Sequence, residues 1–359
     1  MDDLTLYAAV ALANTQPDRD RALHQLAQSV DGWGRIHAVE RLDGTQNPKI
    51  KAWLLREGFR NGVMYEYLAH IAATTGGLYE ALLESEIDAE LLDGAAEIIS
   101  SLVSWGGPAA DIRHYPDALA VVDRFGELLE SAPPTLARIG TAHRLKWLLH
   151  KRLPPELEWP PADVSRLLDR FSALLTRPDW SDHVRSILAG PDSDQEFNRA
   201  LGCADYVGVD GYSQAMARIQ RPPHSLYAWA WVSKRTPEPE LADLAWLAGR
   251  SLPLAELACG PEPGGAPLGR SEEHILESVL SRLGPAAAAP ARPLIRTAIR
   301  SAGTRMRRIG MEAADRIFGP DLPADVRDWI GEAAIAEPDD ELRGKLVKLF
   351  ERAPLDLDE

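Results

Sequence analysis

Apolar residues recur at three- and four-residue spacing along most of this chain. YAAVALA (Tyr7–Ala13), RALHQLAQSV (Arg21–Val30), KIKAWLLREGF (Lys49–Phe59), MYEYLAHIAA, LYEALLESEI, ELLDGAAEIISSLVSW and ALAVVDRFGELLESA each read as one face of an amphipathic helix. The pairs Pro133-Pro134, Pro154-Pro155, Pro160-Pro161 and Pro222-Pro223 fall between such patterns. Proline lacks the backbone N–H that a helix interior needs, so these pairs mark helix starts and connections. Asp31 and Thr45 suit N-cap or turn positions, and Gly76-Gly77 suits a helix stop. Strand-like alternation is confined to YAWAWVS (Tyr227–Ser233), which a buried helix satisfies equally well. CGPEPGGAPLG (Cys259–Gly269) and GPAAAAPARP (Gly284–Pro293) read as irregular. The pattern predicts an all-α chain.

Two distant stretches share a frame. AVERL (Ala38–Leu42), Pro48 and IKAWL (Ile50–Leu54) are echoed by AADRI (Ala313–Ile317), Pro323 and VRDWI (Val326–Ile330). Each half describes a helix, a proline-marked turn and a second helix that buries a tryptophan. EPDDELRGKLVKLFERA (Glu337–Ala353) sets an acidic turn ahead of the aliphatic–basic pair Leu342-Arg343, and DGWGRIHAVERL sets Asp31 ahead of Ile36-His37. In these respects the chain resembles the HEAT/armadillo class of α-solenoids over roughly residues 20–110 and 290–353. The resemblance implies antiparallel helical pairs stacked side by side, each burying its apolar face against its neighbours. Residues 1–153 then form N-terminal repeats, 154–258 an irregular helical section, 259–270 a Gly/Pro-rich loop or linker, and 271–359 C-terminal repeats. Trp53, Trp147, Trp246 and Trp329 sit beside aliphatic residues and are expected in the core between layers.

Composition narrows the function. The chain has 54 acidic against 39 basic residues, a formal charge of −15, and is 45% hydrophobic. That apolar share supports a folded protein, and the charge is a poor match for nucleic acid or an anionic membrane. The two cysteines, Cys203 and Cys259, form neither a disulfide framework nor a C-x-x-C zinc motif and fit a reducing cytosol. The acidic start MDDLTLYAAVALANTQ lacks the basic region of a secretion signal, and no stretch reads as a membrane span. A cytoplasmic location is the expectation.

The sequence declares no reaction: G-x-S-x-G, H-E-x-x-H, G-x-x-x-x-G-K-[ST] and the EF-hand loop are all missing from it. His37 and Glu40, three apart, and Glu66 and His70, four apart, would each share a helix face, and together offer a weak candidate metal set. Deoxyhypusine hydroxylases of HEAT-like form hold di-iron through His-Glu dipeptides, and this chain contains no such dipeptide. Arg292, Arg296, Arg300, Arg305, Arg307 and Arg308 form a basic segment that either contacts phosphates or pairs with acidic neighbours. HRLKWLLHKR (His143–Arg152) is a second basic patch. The expectation is a non-enzymatic scaffold that needs no cofactor and holds a protein or peptide, of basic character, on a concave face. The alternative is a nucleic-acid enzyme resembling the HEAT-like alkylpurine DNA glycosylases, and a His/Glu metal hydroxylase is the second alternative.

Overall fold

The computed structural model describes residues 2–104, 107, 109–190, 193–222, 224–261 and 269–351, with side chains from Leu4 onward. Pro223, most of the Gly/Pro-rich linker (262–268) and the acidic tail from 352 onward lie outside the described residues. Among the described residues the regular structure is entirely helical, and no helix is long and apolar enough to cross a membrane. The chain divides into two compact units, Met1–Gly190 with Gly202–Val209, and Pro191–Leu201 with Asp210–Glu359.

The first unit holds α1 (Asp2–Thr15), α2 (Arg19–Ser29), α3 (Gly32–Glu40), α4 (Pro48–Trp53), α5 (Glu66–Gly76), α6 (Leu78–Leu83), α7 (Ala89–Leu102), α8 (Ala118–Leu129), α9 (Leu136–Trp147), α10 (Pro161–Leu174) and α11 (Pro178–Ala189). Its helices pack on near neighbours in an alternating order. α3 packs on α5, α5 on α7 and α7 on α9, while α6 packs on α8 and α8 on α10. The helix starts carry the expected chemistry. Asp18, Asn47, Asp88 and Thr135 cap α2, α4, α7 and α9 through their side chains. Pro48, Pro161 and Pro178 open helices at positions where no N–H is needed. Gly77 ends α5 in the left-handed conformation, at φ 72°. Asp31 stands at the N-cap of α3, yet its carboxylate accepts from the Gly62 N–H (2.9 Å) instead of bonding deeper into its own helix. Thr45 does not cap α4; it is buried and donates to Asp20 (2.5 Å).

Two α-helices of this unit end in the same way. Trp53-Leu54-Leu55 and Trp147-Leu148-Leu149 each run into a π-helical turn, Leu54–Gly58 and Leu148–Arg152. In both turns the leucine pair is buried. A π turn bonds residue i to i+5 and so brings residues five apart onto one side, whereas on an α-helix they diverge by about 140°. Gly58, five beyond Trp53, has no side chain, and the indole lies against it: a Cβ there would meet the ring at 2.7 Å. Arg152, five beyond Trp147, instead sets its guanidinium over the indole, 5.3 Å from the centroid.

Helix α12 (Asp194–Ala204) has residues in both units. The second unit continues with α13 (Tyr212–Ile219), α14 (Leu226–Arg235), α15 (Leu241–Ser251), α16 (Leu254–Leu257), α17 (Ser271–Leu280), α18 (Ala288–Ile299), α19 (Thr304–Phe318), α20 (Ala324–Ala336) and α21 (Asp340–Phe350). Alternation recurs: α17 packs on α19 and α19 on α21, while α15 packs on α18 and α18 on α20. YAWAWVS lies within α14 and is helical. GPAAAAPARP is not irregular either. It forms a short 3₁₀ turn and the start of α18, where Pro290 sits in the first turn and only Pro293 lies inside the helix. Helices α10 to α16 run through 154–258, the section expected to be helical but irregular.

The buried side chains correct the tryptophan expectation. Trp180 and Trp229 are fully buried, and Trp231 and Trp159 nearly so. Of the four expected in the core, Trp147 is 44% and Trp246 51% exposed, and Trp53 and Trp329 are half-buried.

Candidate functional site

In the first unit, α9 is fastened to α7 by polar residues at three-residue spacing. Thr135 donates to Asp93 (2.7 Å), and the buried Arg138 pairs with Asp93 (2.8 Å) and donates to the Ala89 carbonyl (3.1 Å). Thr141 donates to the Ala96 carbonyl (2.8 Å), and Arg144 to the Ser104 hydroxyl (2.6 Å) and the Ser100 carbonyl (3.4 Å). At three-residue spacing each step turns about 60° back round the axis, so the four contacts wind along α9 as a stripe that follows α7. The last rung holds the Arg144 guanidinium with neutral oxygens, which leave its charge uncompensated at that contact.

Beyond that rung the surface opens into a cleft of about 520 Å³, lined by Ser104, His143, Arg144, Trp147, Arg152 and Tyr206 among others. Tyr206 comes from the 3₁₀ turn Asp205–Val207 and stacks on His143, with centroids 3.6 Å apart and planes 7° from parallel. Burial pushes the His143 pKa below its ordinary value; the positive charges of Lys146 and Arg144 push the same way and Asp205 opposes them. His143 is therefore a neutral ring at pH 7 within a basic segment. The cleft presents three aromatic rings and two guanidinium groups. HRLKWLLHKR reads as a basic patch in the sequence, whereas the aliphatic neighbours of Trp147 point it to the core. No local signal identifies Tyr206, which meets His143 only through the packing of its turn on α9.

The candidate metal residues occupy a different part of this unit. His37 and Glu40 share a face of α3, with Nδ1 and Oε2 3.5 Å apart. His70 on α5 lies 3.2 Å from the His114 carbonyl, and Glu66 opens the same helix. Among the described residues no three His, Cys, Asp or Glu side chains gather to hold a metal ion. The ring of His37 lies instead beside Trp33, whose own ring is 5.0 Å from Tyr67. Trp33, Val63, Met64 and Tyr65 are between 36% and 42% exposed. The loop that carries the last three is pinned by the buried Asn61. Its side chain donates to the Phe59 and Met64 carbonyls and accepts from the Val63 and Met64 N–H groups, at 2.8–3.1 Å. Arg35 adds a bond to the Arg60 carbonyl (3.0 Å).

The six arginines of the second unit face different partners. Arg307 is buried and forks onto Glu337 through two 2.7 Å bonds, while also donating to the Ser301 carbonyl (3.1 Å). Arg305 pairs with Glu277 (2.6 Å) and Arg292 with Asp325 (3.5 Å). Arg296 lies over Trp329, 5.2 Å from the ring centroid. Arg308 is half-buried, and Arg300 borders a smaller cavity of about 160 Å³ that also touches Arg307 and Glu337.

Comparison with protein-family models and with curated proteins finds no match for this chain.

Proposed function

We propose that the chain is a non-enzymatic protein-binding scaffold of HEAT-like stacked helical pairs, and that its first unit holds a basic protein or peptide segment. The observation that carries this reading is the exposed cluster of Trp33, Val63, Met64 and Tyr65, set on a loop that Asn61 and Arg35 hold in place. Adjacent large apolar side chains facing solvent mark interaction surfaces, and tryptophan and tyrosine dominate binding hot spots. A pinned loop loses little conformational freedom on docking. The exposed Glu40 and the half-buried Glu66 lie on the helices beside the cluster. With the net charge of −15 they favour a cationic partner. The alternating packing of α3, α5, α7 and α9 and of α6, α8 and α10 supports stacked pairs.

The test is affinity capture from native lysate with the wild-type chain and a Trp33→Ala/Met64→Asp variant, read by mass spectrometry. The expected result is a basic protein retained by the wild type and lost from the variant. Retention by both, or enrichment of nucleic acid alone, overturns the reading.

A further inference from the structure

We propose that the cleft at the end of α9 is a nucleotide-binding site, in which a base stacks on the Trp147 indole and its phosphate meets Arg144 and Arg152. This site lies apart from the Trp33–Tyr65 surface and does not depend on it. Three observations converge. The first is the exposure of Trp147 at 44%, beside two leucines that are buried. A large indole left open at a basic cleft serves a stacking partner, because every nucleobase offers a flat π-face. The second is the placement of cations at that ring. The π turn brings Arg152 back over the indole, and Ser104 and Ser100 orient Arg144. Guanidinium groups match phosphate oxygens with paired N–H donors. The third is size: about 520 Å³ falls in the range of small-molecule sites.

The stacked His143 and Tyr206 close one side of the cleft with a rigid pair of rings. His143, neutral, offers one N–H donor and one acceptor nitrogen to the edge of a base without adding charge repulsion or attraction. An acidic peptide would use the arginines and leave the exposed Trp147 indole without a role. An inorganic anion would leave most of the volume unused. A base joined to a phosphate uses both halves of the site. The same chemistry is supplied by a free nucleotide or by the end of a single strand.

Isothermal titration of the full chain with ATP, AMP, adenosine, pyrophosphate and a short single-stranded oligodeoxyadenylate tests the assignment. ATP or AMP is expected to bind about tenfold or more tightly than adenosine or pyrophosphate, since each fragment forfeits one half of the site. Trp147→Ala is expected to weaken binding about tenfold or more, Trp147→Phe to restore most of it, and Arg144→Gln to weaken nucleotide but not adenosine binding. Trp147 and Arg144 are exposed, so these variants keep their core, and a thermal melt verifies it. ATP binding tighter than the oligonucleotide supports the site with a free nucleotide as its source, and the reverse order supports it with a strand end. Pyrophosphate binding as tightly as ATP overturns the proposal. So does nucleotide binding unchanged in both Trp147→Ala and Arg144→Gln, or no heat from any nucleotide at millimolar concentration.

Discussion

Gly94, in the middle of α7, lies so close to the first π turn that a single methyl group cannot be added. A Cβ at this position would stand 2.1 Å from the Leu55 carbonyl oxygen and 3.3 Å from the Arg56 Cα. Side-chain carbons essentially never come nearer than 3.0 Å, so α7 and the turn would have to separate by about 0.9 Å, backbone against backbone. Forcing apart a packed interface costs about 1–3 kcal/mol, and more when neither side can yield. Alanine regains about 0.8–1 kcal/mol of helix propensity over glycine. We therefore expect Gly94→Ala to destabilise the first unit by about 2 kcal/mol, lowering its thermal midpoint by roughly 4–8 °C. Gly140, inside α9, is the internal control, because a Cβ there meets nothing within 4 Å. Gly140→Ala should raise the midpoint by roughly 2–4 °C, since only the propensity gain operates. Differential scanning calorimetry reads both shifts, and a chain of two units is free to show more than one transition. If the two substitutions shift the melt in the same direction, the close approach of α7 to the turn does not govern stability and the reasoning fails.

Arg307→Met should cost about 3–5 kcal/mol in urea unfolding, because it strands the buried Glu337 carboxylate, and adding Glu337→Leu should recover most of that loss; a harmless single substitution would contradict it. Trp180→Ala removes a fully buried indole and should cost about 3–5 kcal/mol, whereas Trp246→Ala at a half-exposed position should change stability by about 0.5 kcal/mol or less. Equal effects would show that burial does not separate them. Hydrogen bonds from Arg166, and then Arg170, hold the Asp123 carboxyl below the usual carboxylate range. A depressed folded-state value gives stability that is complete above the unfolded pKa, at about 3.9, and lost as the pH falls through the folded value. The urea midpoint of Asp123→Asn should accordingly fall less than that of the wild type between about pH 4.5 and pH 2, and parallel curves would refute the linkage.

The packing frame was legible because burial follows helical phase. Ala38, Val39 and Leu42 are buried, as are Ala313, Ala314 and Ile317 at the matching positions, and Ile50 and Leu54 are matched by Val326 and Ile330. The paired tryptophans, Trp53 and Trp329, stop half-buried at the edge of their helices. Trp246 departs from the core expectation for a reason already present in the chain. Leu241, Leu244, Ala245 and Ala248 are the buried stripe of α15, and Trp246 stands about 100° round the helix from Ala245. Aliphatic neighbours in sequence do not bury a side chain that is out of phase with them. Only half of the cleft was legible. Its cations, Arg144 and Arg152, lie within one short stretch of sequence, but Tyr206 reaches it through tertiary packing, and the π turn that returns Arg152 to Trp147 leaves no mark in a 3.6-residue period.

The twin turns after Trp53 and Trp147 make the role of an indole depend on one distant letter of the sequence. With glycine five positions on, the ring lies down on the backbone and becomes mortar. With arginine there, the ring stays open and acquires a cation above it. A single cassette thus has two settings: glycine at the buried position 58 closes it, and arginine at the exposed position 152 leaves it open to solvent.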